Sequence, residues 1–222
     1  MNNSKQRKMG AVLSYFSIAV NTVIQLLYTP LLVRMLGQSD YGLFSLVSSI
    51  IGYLTVLDLG FGNAIIVYTA KYRTQERYDE LRKLHGMFKV VFYVIGVFSG
   101  LLGLVLYFNV ESFFVKSMTD VEVQKMKIMM LILTFNLVVT FSFSLYNSII
   151  SAYEKFIYQK ALAILNSILK PILMIPLLFL GFKSIALCVV ITLVNIAVLI
   201  SNYIYCRYNL KLEVRYQGFD FK

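Results

Sequence analysis

Residues 10–33 read GAVLSYFSIAVNTVIQLLYTPLLV, twenty-four residues without a charge. About 20 apolar residues suffice for a helix to cross the hydrocarbon core of a bilayer. Lys5, Arg7 and Lys8 precede this run and resemble the n-region of a signal peptide. The run is too long for an h-region of about 7–15 residues, and it lacks a small-x-small cleavage site at its end, before Arg34. It is therefore read as a retained first transmembrane helix. Five further apolar stretches follow, at about 41–70, 87–110, 128–153, 161–182 and 184–206. The second contains Asp58 and the fifth contains Lys170. Backbone inside lipid must satisfy its own hydrogen bonds, and these runs are too long for barrel strands. The sequence predicts an all-α integral membrane protein with six transmembrane helices.

Composition agrees. Fifty-nine per cent of the residues are hydrophobic and 14 % are charged, where soluble proteins carry roughly 25 % charge. That surplus of apolar side chains needs an apolar solvent. The net charge of +10 lies between the apolar runs, so it reads as a topology signal and not as a nucleic-acid surface. Fifteen Lys and Arg fall on the side of the amino terminus, including Lys71, Arg73, Arg77, Arg82, Lys83 and Lys89. Five fall on the other side: Arg34, Lys116, Lys125, Lys127 and Lys183. That bias puts both termini in the cytoplasm, with a six-helix unit over 1–206 and a cytoplasmic tail over 207–222. The chain has no Trp, and Tyr41, Tyr68, Tyr107 and Tyr158 stand where interfacial anchors belong. The basic stretch 71–89 suggests a helix lying on the anionic leaflet, or a topology determinant without specific lipid contact. Cys188 and Cys206 offer neither a disulfide framework nor metal-ligand spacing, and nothing in the sequence asks for a cofactor.

The spans carry polar stripes. Ser14, Ser17, Asn21, Gln25 and Tyr28 recur at three and four residues, on one face of the first helix. The second carries Ser45, Ser48, Gly52, Thr55 and Gly62 beside Asp58; the fourth carries Asn136, Thr140, Ser144, Asn147 and Ser151. Asn166 and Lys170 stand one turn apart in the fifth, and Thr192, Asn195 and Asn202 lie in the sixth. Such groups either glue helices together or line a hydrophilic cavity. Gly96, Gly100 and Gly103 in the third helix form a small-residue face suited to close packing. Ionisable residues at membrane depth are costly and point to function. Lys170, followed by Pro171 and Pro176, suits an anionic group in transit, or else pairs with Asp58 or snorkels to an interface. Asp58 precedes a glycine-rich segment and reads foremost as a local hydrogen-bonding residue at a helix break, with cation coupling as the alternative.

The stretch 34–66 reads RMLGQSDYGLFSLVSSIIGYLTVLDLGFGNAII. It resembles the amino-terminal signature of the Wzx-type oligosaccharide flippases, polysaccharide export proteins of the superfamily that includes MATE-like exporters. The shared elements are an Arg-x-Leu-Gly turn (Arg34, Leu36, Gly37), an acidic-Tyr-Gly-Leu segment (Asp40, Tyr41, Gly42, Leu43), and Leu-Asp-Leu-Gly-Phe-Gly, here Leu57 to Gly62 with Asp58 and Gly60 inside it. The resemblance implies one six-helix lobe of a two-lobe transporter. It implies translocation of a polyprenyl-diphosphate-linked oligosaccharide across the inner membrane by alternating access. It also implies a missing partner, because the chain stops just after the sixth helix: a second lobe or a second copy. Lys170 and Arg34 are then the cations for the diphosphate, and Asn21, Gln25, Asn136 and Asn195 the hydrogen-bonding groups for sugar hydroxyls. Arg34 has a competing reading as a turn residue paired with Asp40.

Three other classes compete. A membrane enzyme needs clustered carboxylates or histidines, whereas the single histidine, His85, falls in the basic loop and reads as solvated. A drug exporter of the same superfamily needs coupling carboxylates, and the spans offer Asp58 alone. A non-transporting membrane subunit or remnant fits the missing lobe.

Overall fold

The computed structural model describes residues 3–114 and 118–212. Among them are seven α-helices and one 3₁₀ turn: α1 (Asn3–Leu36), α2 (Gln38–Leu54), the 3₁₀ turn (Thr55–Asp58), α3 (Phe61–Thr74), α4 (Tyr78–Phe114), α5 (Asp120–Ala152), α6 (Phe156–Phe179) and α7 (Ser184–Tyr208). Six segments are long and apolar enough to cross a membrane, and no strand occurs among the described residues. The protein is an all-α, multi-pass membrane protein.

Two segments differ from the sequence reading. The second span, expected as one helix over 41–70, is broken. Its chain tightens into the 3₁₀ turn, then Leu59 (φ 47°) and Gly60 (φ 80°) take left-handed conformations before α3 starts. Glycine accepts that conformation freely, while Leu59 bears a cost of roughly 1–2 kcal/mol. The basic stretch 71–89 is not a separate helix on the leaflet. It consists of the last turn of α3, a three-residue turn and the first turns of α4. α4 has 37 residues, about 55 Å at 1.5 Å per residue, so it outruns the ~30 Å hydrocarbon core and carries its basic turns into the headgroup region.

α5 is the axis of the fold. It packs against α4, α7, α3 and α2. Its first turn is fixed by a capping box, in which Thr119 and Glu122 exchange side-chain and backbone hydrogen bonds. Met126, Met129, Leu145 and Ile149 of α5 meet Phe92 of α4, Val47 of α2 and Ile65 of α3 in the main core. α4 approaches α5 through its glycines. A Cβ at Gly96 would lie 3.2 Å from the Val138 carbonyl oxygen, and one at Gly103 would lie 2.4 Å from Thr134 Cγ2. The small-residue face is thus a packing face, as the sequence suggested. A second, smaller core joins α1, α6 and α7 through Leu32, Met174, Leu178, Leu187 and Val194. α1 and α6 form a pair at the edge of the bundle, and much of α1 faces outward. Cys188 and Cys206 are buried free thiols.

Candidate functional site

The pair α1 and α6 carries two of the five buried side-chain polar atoms without a partner among the described residues, the others being His85 Nδ1, Thr134 Oγ1 and Asn202 Oδ1. Asn21 donates to Ser17 Oγ at 3.4 Å along α1, and Ser167 of α6 donates to Asn21 Oδ1 across the seam. Pro171 has no N–H to offer the Ser167 carbonyl, so that acceptor is freed at the same level. One turn on, Lys170 is half-buried and makes no hydrogen bond or ion pair among the described residues. The Asn166 Oδ1 and the Tyr28 hydroxyl are buried without a partner. A cavity of about 190 Å³ opens beside Tyr28, lined by Val23, Ile24, Leu27, Leu31, Pro171 and Ile175 as well. A buried polar atom without a partner is costly, on the order of 1–3 kcal/mol, and calls for an explanation. Two such atoms on α1 and α6, with the half-buried Lys170 and the proline-freed Ser167 carbonyl, make this pair of helices the candidate functional site. Gln25 lies on α1 nearby with its side chain exposed.

Asn136 and Asn195 are placed elsewhere. Asn195 Nδ2 donates to Asn136 Oδ1 at 2.7 Å and to Thr140 Oγ1 at 2.8 Å, clamping α7 to α5. These two asparagines satisfy each other, and neither is hydrogen-bonded to Lys170 or Asn21. Lys170 is not paired with Asp58. Asp58 ends the 3₁₀ turn, half-buried, and makes no hydrogen bond among the described residues; its carboxylate faces Gly62, where a Cβ would lie 3.7 Å from Asp58 Oδ2 and 3.2 Å from Ser148 Oγ. The helix break is therefore present, but Asp58 does not hold it by a hydrogen bond.

At the other helix ends, the family-motif residues form a clasp. Gly37 (φ 84°) makes the turn from α1 into α2 and delivers Asp40 inward, where it is 5 % exposed. Asp40 Oδ1 takes Lys125 Nζ at 2.8 Å and Ser184 Oγ at 3.1 Å, and Lys183 Nζ stands 3.6 Å from Oδ2. This single carboxylate ties α2 to the start of α5 and of α7. Arg34 is exposed in the last turn of α1, where a cation complements the helix dipole. It does not pair with Asp40, which corrects that reading. Tyr41 and Gly42 follow on α2, and no atom lies within 4 Å of where a Gly42 Cβ would stand.

Two features escaped the sequence reading. His85 is not a solvated loop residue. It sits on α4, fully buried, with Nε2 3.0 Å from Thr69 Oγ1 of α3. The second is a group of tyrosines around Lys89. Their spacing along α4, α5 and α7 carries no local signal that they meet.

Neither curated proteins nor solved structures give a match to this chain. The sequence model of one family, described as "Polysaccharide biosynthesis protein", matches residues 9–222, nearly the whole chain. The chain belongs to the polysaccharide biosynthesis protein family.

Proposed function

We propose that this chain moves a polyprenyl-diphosphate-linked oligosaccharide across the cytoplasmic membrane, as one lobe of a transporter and not as an enzyme. The observation that carries the reading is Lys170, a cation at membrane depth without a carboxylate partner, set in a seam of unsatisfied polar groups. Moving a diphosphate through hydrocarbon unaided is prohibitive. A fixed cation lowers that cost, and Asn21, Ser167, Asn166 and Gln25 supply hydrogen bonds for sugar hydroxyls. Arg34, exposed at the end of α1, is the second cation, on the helix that packs against α6. Asn136 and Asn195 keep α5 and α7 together and stand outside this path. The exposed Gln25 of α1 and Ser45 and Ser49 of α2 call for a second lobe or second copy to close the path. The basic bias orients both termini to the cytoplasm.

The test is complementation of a flippase-null strain by the assembled transporter, with protein level followed by blotting. Lys170→Ala lowers surface-polysaccharide export, Lys170→Glu lowers it further, and Lys170→Arg retains most of it. Full export by a normally expressed Lys170→Glu variant rules out a cationic relay here.

A further inference from the structure

We propose that α4 carries a binding site for an anionic phospholipid on its lipid-facing side, separate from the α1–α6 seam and independent of the transport reading. Lys89, Tyr93, Val97, Leu101 and Leu104 repeat at intervals of three and four residues and form one stripe along α4. At the basic end of the stripe, the Lys89 ammonium stands 5.9 Å from the centre of the Tyr93 ring and donates a hydrogen bond to the Tyr146 hydroxyl of α5. The Tyr203 ring of α7 packs edge-on against Tyr146, with centroids 5.1 Å apart. One ammonium is thus gathered with three phenols drawn from three helices. Tyr146 is buried, which fixes the geometry, while Tyr93 is 45 % and Tyr203 is 40 % exposed toward the bilayer.

Below this polar head the stripe is grooved. A cavity of about 390 Å³ is lined by Tyr93, Val94, Val97, Phe98 and Leu101. A second, of about 320 Å³, shares Val97 and Leu101 and continues between α4 and α5 past Gly100. Both are walled almost wholly by apolar side chains. A cationic, phenol-rich head above an apolar channel running toward the membrane centre matches a phosphate with an acyl chain attached. The bilayer is what lies against this face of α4. The head lies toward the ends of α4, α5 and α7 that carry Arg82, Lys83, Lys155 and Arg207, the ends the loop charges assign to the cytoplasm, where anionic lipids concentrate. Those two facts favour a glycerophospholipid of that leaflet over the polyprenyl carrier.

The full-length chain, purified in detergent, is titrated with phosphatidylglycerol or phosphatidylcholine and read by native mass spectrometry. Phosphatidylglycerol binds at one saturable site in preference to phosphatidylcholine. Lys89→Gln weakens it about fivefold, the value of one basic residue near an anionic headgroup. Lys89→Arg restores it, and Lys160→Gln, at the same end but off the stripe, leaves it unchanged. Val97→Trp, which fills the groove and touches no charge, also weakens binding. Equal losses for Lys89→Gln and Lys160→Gln, or unchanged binding with Val97→Trp, overturn the site. Competition by a polyprenyl phosphate but not by phosphatidylglycerol overturns the choice of lipid. If Lys89→Gln fails to fold, as judged by circular dichroism, Tyr203→Phe and Val97→Trp read the same site.

Discussion

The clasp around Asp40 and the seam around Lys170 use the same chemistry to opposite ends. Both place a charged side chain away from water within a helical bundle. At the clasp the charge is matched. Asp40 has Lys125, Lys183 and Ser184 within reach, and three helices are joined by one carboxylate. At the seam the charge is unmatched, and the polar atoms beside it, Asn166 Oδ1 and the Tyr28 hydroxyl, are unmatched too. Matched groups hold a structure together. Unmatched groups cost stability and persist where something else makes use of them. The comparison predicts that variants at the clasp lose stability, while variants at the seam lose function without losing stability.

The largest effect is expected at Asp40. Breaking a buried ion pair by removing one partner costs about 3–5 kcal/mol. Lys125 is 29 % exposed, so solvent screens the orphaned ammonium and the lower end, about 3 kcal/mol, applies to Asp40→Ala. Thermal unfolding of the purified protein in detergent checks it. A drop no larger than that of a surface variant would show that the clasp holds nothing. Next comes the α4–α5 contact. Gly103→Ala drives a methyl into Thr134, and overpacking of this kind costs about 1–3 kcal/mol. The same melt with Gly42→Ala, where no neighbour stands within 4 Å, serves as its control and should stay near wild type.

The α5–α7 clamp is weaker than either. Asn195→Leu removes two hydrogen bonds, at 2.7 and 2.8 Å, and leaves Asn136 and Thr140 without that donor. Interhelical hydrogen bonds in membranes average about 0.6 kcal/mol, so a loss of about 1 kcal/mol follows. Export should fall only in proportion to the folded protein remaining. A loss of export at full protein level would return Asn195 to the substrate path.

The span count was legible in the sequence because crossing a bilayer is a length condition, and 10–33 or 184–206 meets it without reference to any other residue. The glycine face of α4 was legible for a similar reason, since close packing of helices demands small residues at local spacing. What was hidden depends on partners distant in sequence. Lys125 and Ser184 are far from Asp40 along the chain, and no local pattern links them. Asn136 and Asn195 carried the same signal as Asn21, yet two met each other and the third met a seam. The break after Asp58 was masked because hydropathy sees Leu57, Leu59 and Phe61 but not their backbone angles. His85 was misread because the basic residues around it imitate a loop. Its own helix and Thr69 bury it.

Lys170 marks the far end of the comparison. An ammonium held half-buried without a counter-ion is a net cost to the folded bundle, because its water is lost and nothing replaces it. Lys170→Met keeps the length and the apolar stem, removes that cost and leaves no orphaned carboxylate behind. Its unfolding temperature should therefore equal or exceed that of the wild type, in contrast to Asp40→Ala. Pro171 and Pro176 already loosen α6 at this level, so the helix has little further order to lose. Export in the complementation assay should nonetheless fall, because the fixed cation is gone. A variant that melts several degrees lower would mean that Lys170 has a stabilising partner after all, and the seam would then be a second clasp. A variant that is both stable and fully active would leave the cation without a use. Unchanged or raised stability together with lost export is the pair of results that separates a transport residue from a structural one.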